Sequence, residues 1–259
     1  MAIYITGDTH GDLTRFSLAY LPREQWSMED YLLIPGDFGM IFYQNETDRK
    51  KLDYLENLNF QILFVDGNHE AFPSIYAYPV EEWCGGKVHR IRHNIRHLMR
   101  GQVYNIDGTT IFTMGGGYSL DKAFRLEGVS WWPEELPTQA EYDEARANLA
   151  AHGNKVDLIV THAPPMEALQ EFHTAGLIST ISPKESRLNE FLEEVRNTVS
   201  YGHWYFGHLH QDMTMEEVRE TTAFKYWYFS NLHLEPTLSR NMTAVWFDLY
   251  NAVTGEKIE

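Results

Sequence analysis

The chain has 259 residues, 43% of them hydrophobic and 22% charged, an ordinary balance for a globular protein with a sizeable core. Asp and Glu number 37 against 21 Lys and Arg, a formal net charge of -16, which disfavours long nucleic acids because their affinity rests on neutralised phosphates. The single cysteine, Cys84, excludes an internal disulfide and a cysteine-based metal site, and no apolar run is long enough for a membrane helix.

In chain order, residues 3–6, 31–34 and 61–65 read as short buried strands, rich in Ile, Leu, Val and aromatics. A helix is predicted from about Glu46 to Leu58, with Asn45 as its cap. Residues 102–106 and 109–114 flank Asp107-Gly108, a pair suited to a tight hairpin turn. Thr138-Gln139-Ala140-Glu141 and Ser182-Pro183-Lys184-Glu185 fit the capping box, and Gly153 fits a helix stop. Further strands are predicted at 156–160 and 204–206, then at the aromatic-rich stretches 224–230 and 243–249. Strands alternating with helices, plus antiparallel regions, predict an α/β fold with mixed sheets. Nothing in composition marks a domain boundary, so residues 1–259 are expected to form one domain. The N-terminus runs straight into a strand, with no export signal, and a reducing cytoplasm is the expected location.

Five of these strands end alike. Gly7-Asp8-Thr9-His10, Gly36-Asp37, Gly67-Asn68-His69-Glu70, Thr161-His162 and Gly207-His208-Leu209-His210 each follow a strand directly or after one residue. Ligands of open α/β sheets bind beyond the carboxyl ends of the strands, so these tips are expected to converge on one crevice. Asp, His and Asn are donors for divalent first-row metals. Asp8, His10, Asp37, Asn68, His162, His208 and His210 are too many for one tetrahedral ion and suit two ions roughly 3.5–4 Å apart.

In residue type and order, the set from Asp8 to His210 resembles the calcineurin-like metallophosphoesterase superfamily. The resemblance implies a four-layer αββα sandwich, with two mixed β-sheets flanked by helices. It implies that Asp8, His10, Asp37 and His210 hold one metal, and that Asp37 bridges to a second held by Asn68, His162 and His208. His69 then faces the leaving-group oxygen, protonating it or stabilising its charge. The implied reaction is hydrolysis of a phosphomonoester or phosphodiester by a hydroxide shared between two divalent ions. Manganese is the first expectation for the ions, with iron or zinc as alternatives. A small phosphorylated molecule or nucleotide is the expected substrate, since a metal pair reverses the local field of an acidic protein.

The second motif departs from the phosphoprotein phosphatase pattern, which resembles Gly-Asp-x-x-x-Arg-Gly. Here the run is Gly36-Asp37-Phe38-Gly39-Met40-Ile41, so an arginine for phosphate and a carboxylate for His69 must come from elsewhere. The glycine-rich stretch 115–125 offers Arg125 as a phosphate contact, with a surface pair to Asp121 as the alternative. Trp131-Trp132 reads as a pocket wall or as a loop anchor. Residues 87–100 carry Lys87, Arg90, Arg92, Arg96 and Arg100 with His89, His93 and His97. This segment is expected to be a solvated face beside core positions Val88, Ile91, Ile95 and Leu98, or an anion-attracting surface. The competing readings of function are a metal-binding scaffold without catalysis, a phosphoprotein phosphatase and a nuclease.

Overall fold

The apolar runs become central strands because both of their faces are covered. In the computed structural model, which describes residues 1–183, 186–226 and 242–258, the first half folds into ten elements. They are β1 (Ile3–Ile5), β2 (Tyr31–Ile34), α1 (Glu46–Glu56), β3 (Gln61–Phe64), α2 (Phe72–Tyr76), β4 (Val80–Trp83), β5 (Gly86–Arg90), β6 (Ile95–Leu98), β7 (Val103–Ile106) and β8 (Thr109–Met114). The second half adds α3 (Gln139–Ala151), β9 (Lys155–Thr161), α4 (Met166–Ala175), α5 (Ser186–Thr198), β10 (Ser200–Phe206), β11 (Met213–Thr214), α6 (Met215–Tyr226), β12 (Met242–Ala244) and β13 (Tyr250–Asn251).

One sheet has the order β13-β1-β2-β3-β6-β5-β4 and the other β11-β12-β10-β9-β8-β7. In the first, β1, β2, β3 and β6 are parallel neighbours. In the second, β8, β9, β10 and β12 are parallel neighbours. Antiparallel strands close the outer positions. Both sheets therefore send the carboxyl ends of their parallel strands to an edge where a ligand can sit.

The period of two along a strand explains the layering. Leu33 and Leu63 point between the sheets, toward Leu158, Val160 and Tyr205. Their neighbours Leu32, Ile34, Ile62 and Phe64 point outward, onto Leu52 and Leu55 of α1. On the far side, Ile159, Trp204 and Phe206 face Tyr142, Phe172, Phe191 and Val218 from α3, α4, α5 and α6. The result is the helix–sheet–sheet–helix layering expected of two mixed sheets. Burying each such side chain contributes about 1.5–3 kcal/mol.

Local chemistry sets the boundaries. Asn45 accepts the Asp48 amide at 3.0 Å and opens α1. Thr138 and Glu141 form a reciprocal capping box on α3. Asp107 and Gly108 take φ of 49° and 88°, the left-handed pair a two-residue hairpin needs. Of the second expected capping box, Lys184 and Glu185 lie outside the described residues.

Two expectations are corrected. Residues 224–226 close helix α6 rather than opening a strand, and 227–230 lie outside the described residues. Thr214 and Glu217 cap that helix reciprocally (Thr214 N donates to Oε2 at 2.6 Å, Glu217 N to Oγ1 at 3.2 Å), and this box sets its start. The strand expected over 243–249 is confined to Met242–Ala244, because the amides of residues 246–248 turn to bond the Asp212 carboxylate instead.

The basic stretch 87–100 is a hairpin, with Val88, Ile91, Ile95 and Leu98 buried. It is not a solvated face throughout. His89, His97 and Arg100 are buried too, in a chain that ends on Asp66.

Candidate metal centre

The strand tips turn sharply, and the turns aim the donors. His10, Asp37, His208 and His210 take φ of 47°, 47°, 67° and 53°, a region non-glycine residues enter rarely. Asp37 O accepts the amides of Thr9 at 3.2 Å and His10 at 2.7 Å, which ties the β2 tip to the β1 tip. Close approach also requires glycine next to the carboxylates. A Cβ on Gly67 would stand 2.0 Å from Asp37 Oδ1, and one on Gly207 2.0 Å from Asp8 Oδ1.

Two groups of donors result. In the first, ligand atoms of Asp8, His10, Asp37 and His210 all lie within 4.8 Å of one another. His10 Nε2 is 3.2 Å from His210 Nε2, and His210 Nε2 is 3.4 Å from Asp8 Oδ2. In the second, Asn68 Oδ1 is 3.0 Å from both His162 Nε2 and His208 Nδ1, which are 3.2 Å from each other. Asp37 Oδ2 faces both groups, at 3.7 Å from His10 Nε2 and 3.5 Å from His162 Nε2.

These spacings test whether divalent ions fit. Donors about 2.1 Å from one ion, at angles near those of a tetrahedron or octahedron, stand about 3.0–3.4 Å apart. The protonation pattern agrees. His162 Nδ1 donates to Pro35 O at 2.9 Å, so in the neutral ring Nε2 is a bare lone pair. Asn68 Nδ2 donates to Ser119 Oγ at 3.0 Å, which turns Oδ1 inward as an acceptor. Two acceptors thus face each other at 3.0 Å. Asp8 Oδ1 and Asp37 Oδ2 are buried and accept no hydrogen bond among the described residues. The donor set suits a divalent cation in each group.

The surroundings favour the unprotonated forms of Asp37 and His10. Burial pushes Asp37 up, but His162, His69 and His10 outweigh it and the carboxyl ends below its ordinary value. Burial lowers His10 against the pull of Asp37 and Asp8. Metal ligation needs these unprotonated forms.

His69 is not among the converging donors. Its amide donates to Asp37 Oδ1 at 2.7 Å, and its ring stands 5.4 Å from that of His10. Burial, with Arg125 and His10 nearby and Asp37 opposing, lowers its pKa to about 4. Arg125 and Asp121 both act on His69 electrostatically, so the glycine-rich loop brings an arginine and a carboxylate to this side. Arg125 Nε pairs with Asp121 at 2.7 Å and its Nη1 donates to Ser130 O at 2.9 Å. Trp132 packs edge-on against Phe42 at 5.6 Å, and Trp131 lies under Lys122.

Several supporting residues escaped the sequence reading. Glu70 is buried and accepts the amides of Phe38 and Gly39, at 2.6 and 3.4 Å, just after Asp37. Burial, reinforced by Asp37, pushes its carboxyl well up. Ser119 orients Asn68 from the β8–α3 loop. Both stand inside motifs already singled out, so their places were visible but not their roles. Trp246 stacks on His210 with centroids 3.8 Å apart, and no sequence signal joins the two.

A model of the calcineurin-like phosphoesterase family matches residues 1–212. Among solved structures, the chain is similar to phosphopantetheinyl hydrolase from Mycobacterium tuberculosis. The two share 17% identity over 82% of this chain and 84% of that one, with a TM-score of 0.38. Comparison with curated proteins gives no match.

Proposed function

The chain belongs to the calcineurin-like phosphoesterase family, and on that premise we propose that it is a dinuclear metal-dependent phosphoric ester hydrolase acting on a small phosphorylated molecule or nucleotide. The observation that carries this reading is the pair of donor groups sharing Asp37, with the lone pairs of His162 and Asn68 turned on each other at 3.0 Å. Asp8, His10, Asp37 and His210 would hold one ion, and Asn68, His162 and His208 the other, with Asp37 common to both. The donors suit manganese, iron or zinc, with manganese the first choice. Ions held there supply Lewis acidity to a phosphoryl group and activate water near neutral pH.

The chain's own residues do the rest. Backbone amides of His208 and His69 hold the two carboxylates, at 3.0 and 2.7 Å, so the donors are oriented before substrate arrives. His69 stands beside the first group as a neutral ring above about pH 4. At neutral pH it meets the leaving oxygen as an N–H donor and stabilises its charge. Arg125, behind Asp121, adds positive potential on the same side. The net charge of -16 favours a small substrate over a long polyanion.

Residues 1–259 are read as one domain, a reading supported by β12 and β13, which hydrogen-bond into different sheets. No helix among the described residues is long and apolar enough to cross a membrane. A cytoplasmic location rests on the lone Cys84.

The test strips the protein of metal, restores Mn²⁺, and compares an aryl phosphomonoester with the matching diester. Turnover should require metal, and His69→Ala should lower kcat by at least about 100-fold with ion uptake unchanged. Two bound ions with no turnover of either ester, or an unaffected His69→Ala, would count against the proposal.

A further inference from the structure

The family match ends at residue 212, yet the metal centre does not. Val245 N donates to Phe206 O at 2.9 Å, which carries the chain from β12 across the tips of β10 and β1. The next three amides are gathered by one carboxylate. Trp246 N and Asp248 N donate to Asp212 Oδ1 at 2.7 and 3.0 Å, and Phe247 N donates to Oδ2 at 2.8 Å. The buried Arg15 donates to Trp246 O and, at 3.1 Å, to Thr6 Oγ1. Gly7 accommodates the crossing. A Cβ there would stand 2.3 Å from both Cα and O of Trp246, so the glycine before Asp8 serves this crossing.

What the crossing delivers is an aromatic face. The Trp246 indole lies 3.8 Å from the His210 ring, at 21° to it. Its edge meets His10 at 5.8 Å. His210 and His10 are the open donors of the centre, with side chains 44% and 33% exposed, whereas His162 is fully buried. An exposed imidazole keeps rotamers that carry its nitrogen away from the ion, and ordering it costs entropy. A stacked ring held by a fixed backbone removes those rotamers.

We propose that Trp246 is a positioning residue for the ion site of Asp8, His10, Asp37 and His210, holding the His210 ring in its ligating orientation and so setting how tightly that site keeps its ion. The inference rests on the two-site reading above. It predicts an asymmetry, because the ring contacts that Trp246 makes with the centre fall on His210 and His10, donors of one group. Partners that orient a ligating histidine typically change metal affinity about 10–100-fold.

The experiment measures Mn²⁺ uptake by calorimetry, and by electron paramagnetic resonance of the free ion, for the metal-stripped full chain and for Trp246→Leu and Trp246→Phe. Trp246→Leu should weaken one site at least about 10-fold and leave the other within about 3-fold. Trp246→Phe, which keeps a stacking ring, should stay near wild type and guards against a fold defect. In a His210→Ala background, Trp246→Leu should add nothing. Equal weakening of both sites, or no weakening of either, overturns the proposal. A wild type that binds one ion sinks the two-site reading instead, and the comparison is then decided on that ion: weaker in Trp246→Leu supports the role, unchanged removes it.

Discussion

Arg100→Met separates charge from packing beneath the metal centre. Asp66 is fully buried, two residues before Asn68, and its Oδ2 accepts Arg100 Nε at 2.8 Å and a second Arg100 nitrogen. Its Oδ1 lies 3.1 Å from His97 Nε2. Burial raises the carboxyl, but Arg100 and then His97 overcome it and hold it well below the ordinary range. Removing the guanidinium strands the carboxylate, which costs about 3–5 kcal/mol. For a chain of this size that is a fall in Tm of about 10 °C. The sign of the pH dependence is diagnostic. In the wild type the depressed pKa gives stability that is present above the unfolded value and lost only as pH falls through the folded one. In Arg100→Met only His97 still opposes burial, so the folded pKa rises from its depressed value and protonation relieves the penalty. The deficit should therefore narrow as pH drops from 7 toward 5. Asp66→Asn combined with Arg100→Met should recover most of the loss. Thermal unfolding by circular dichroism, with a chelator present to silence metal linkage, measures all three proteins. A double variant as unstable as Arg100→Met, with a deficit flat in pH, would show that lost packing dominates and refute the charge argument.

Gly117→Ala should disturb the second donor group alone. Its Cβ would meet His162 Cδ2 at 3.0 Å, Asn68 Oδ1 at 3.2 Å and His208 Cε1 at 3.4 Å, so each must yield by tenths of an ångström. We expect one Mn²⁺ site to weaken about 10-fold with Tm nearly unchanged, and two unaffected sites by calorimetry would contradict the geometry. His89 predicts an acid-sensitive fold. Burial, then His97, lowers its pKa to about 4, so between the unfolded value near 6.5 and that point only the unfolded chain takes up the proton. Stability falls as pH is lowered through this window, by about 1–2 kcal/mol after allowance for solvent screening. His89→Gln should flatten the slope of Tm against pH there, and an unchanged slope assigns the sensitivity elsewhere.

What was legible in the sequence was what periodicity and caps encode. Each of the five buried runs became a strand within a few residues of its expected limits, because apolar residues covered on both faces leave an uninterrupted signal. The donors followed, since each sits at a fixed short distance past a strand. Polar burial was not legible. Arg100 and His97 are paid for by Asp66, more than 30 residues earlier, and a pattern reading that takes charge for exposure cannot find such a partner. The stretch 224–226 misled for the opposite reason. Aromatic content favours strands only weakly, and the capping box at Thr214 and Glu217 outweighed it. Trp246 was hidden because its role depends on where a loop crosses, which Asp212, Arg15 and Gly7 decide together in space.

The division of donors between the sheets bears on how the centre is made. Asp8, His10, Asp37 and Asn68 hang from the seven-stranded sheet, and His162, His208 and His210 from the six-stranded one. Each donor group draws on both, so its dimensions are set by the apolar layer between them, where Leu33, Leu63 and Val65 meet Leu158, Val160 and Tyr205. Such a layer is close-packed and yields little. The tips carry the opposite character. Among the described residues, four of the eight non-glycine residues with positive φ are donors, each at a cost of about 1–2 kcal/mol, and two buried carboxylate oxygens and a facing pair of acceptors lie among them. Unfavourable terms thus meet at atoms where divalent cations, held as proposed, would reverse their sign. Backbone bonds from Thr9, His10, His69 and His208 hold those atoms in place without any ion. Strained backbone and bare lone pairs brought together in one crevice support the proposed cation site.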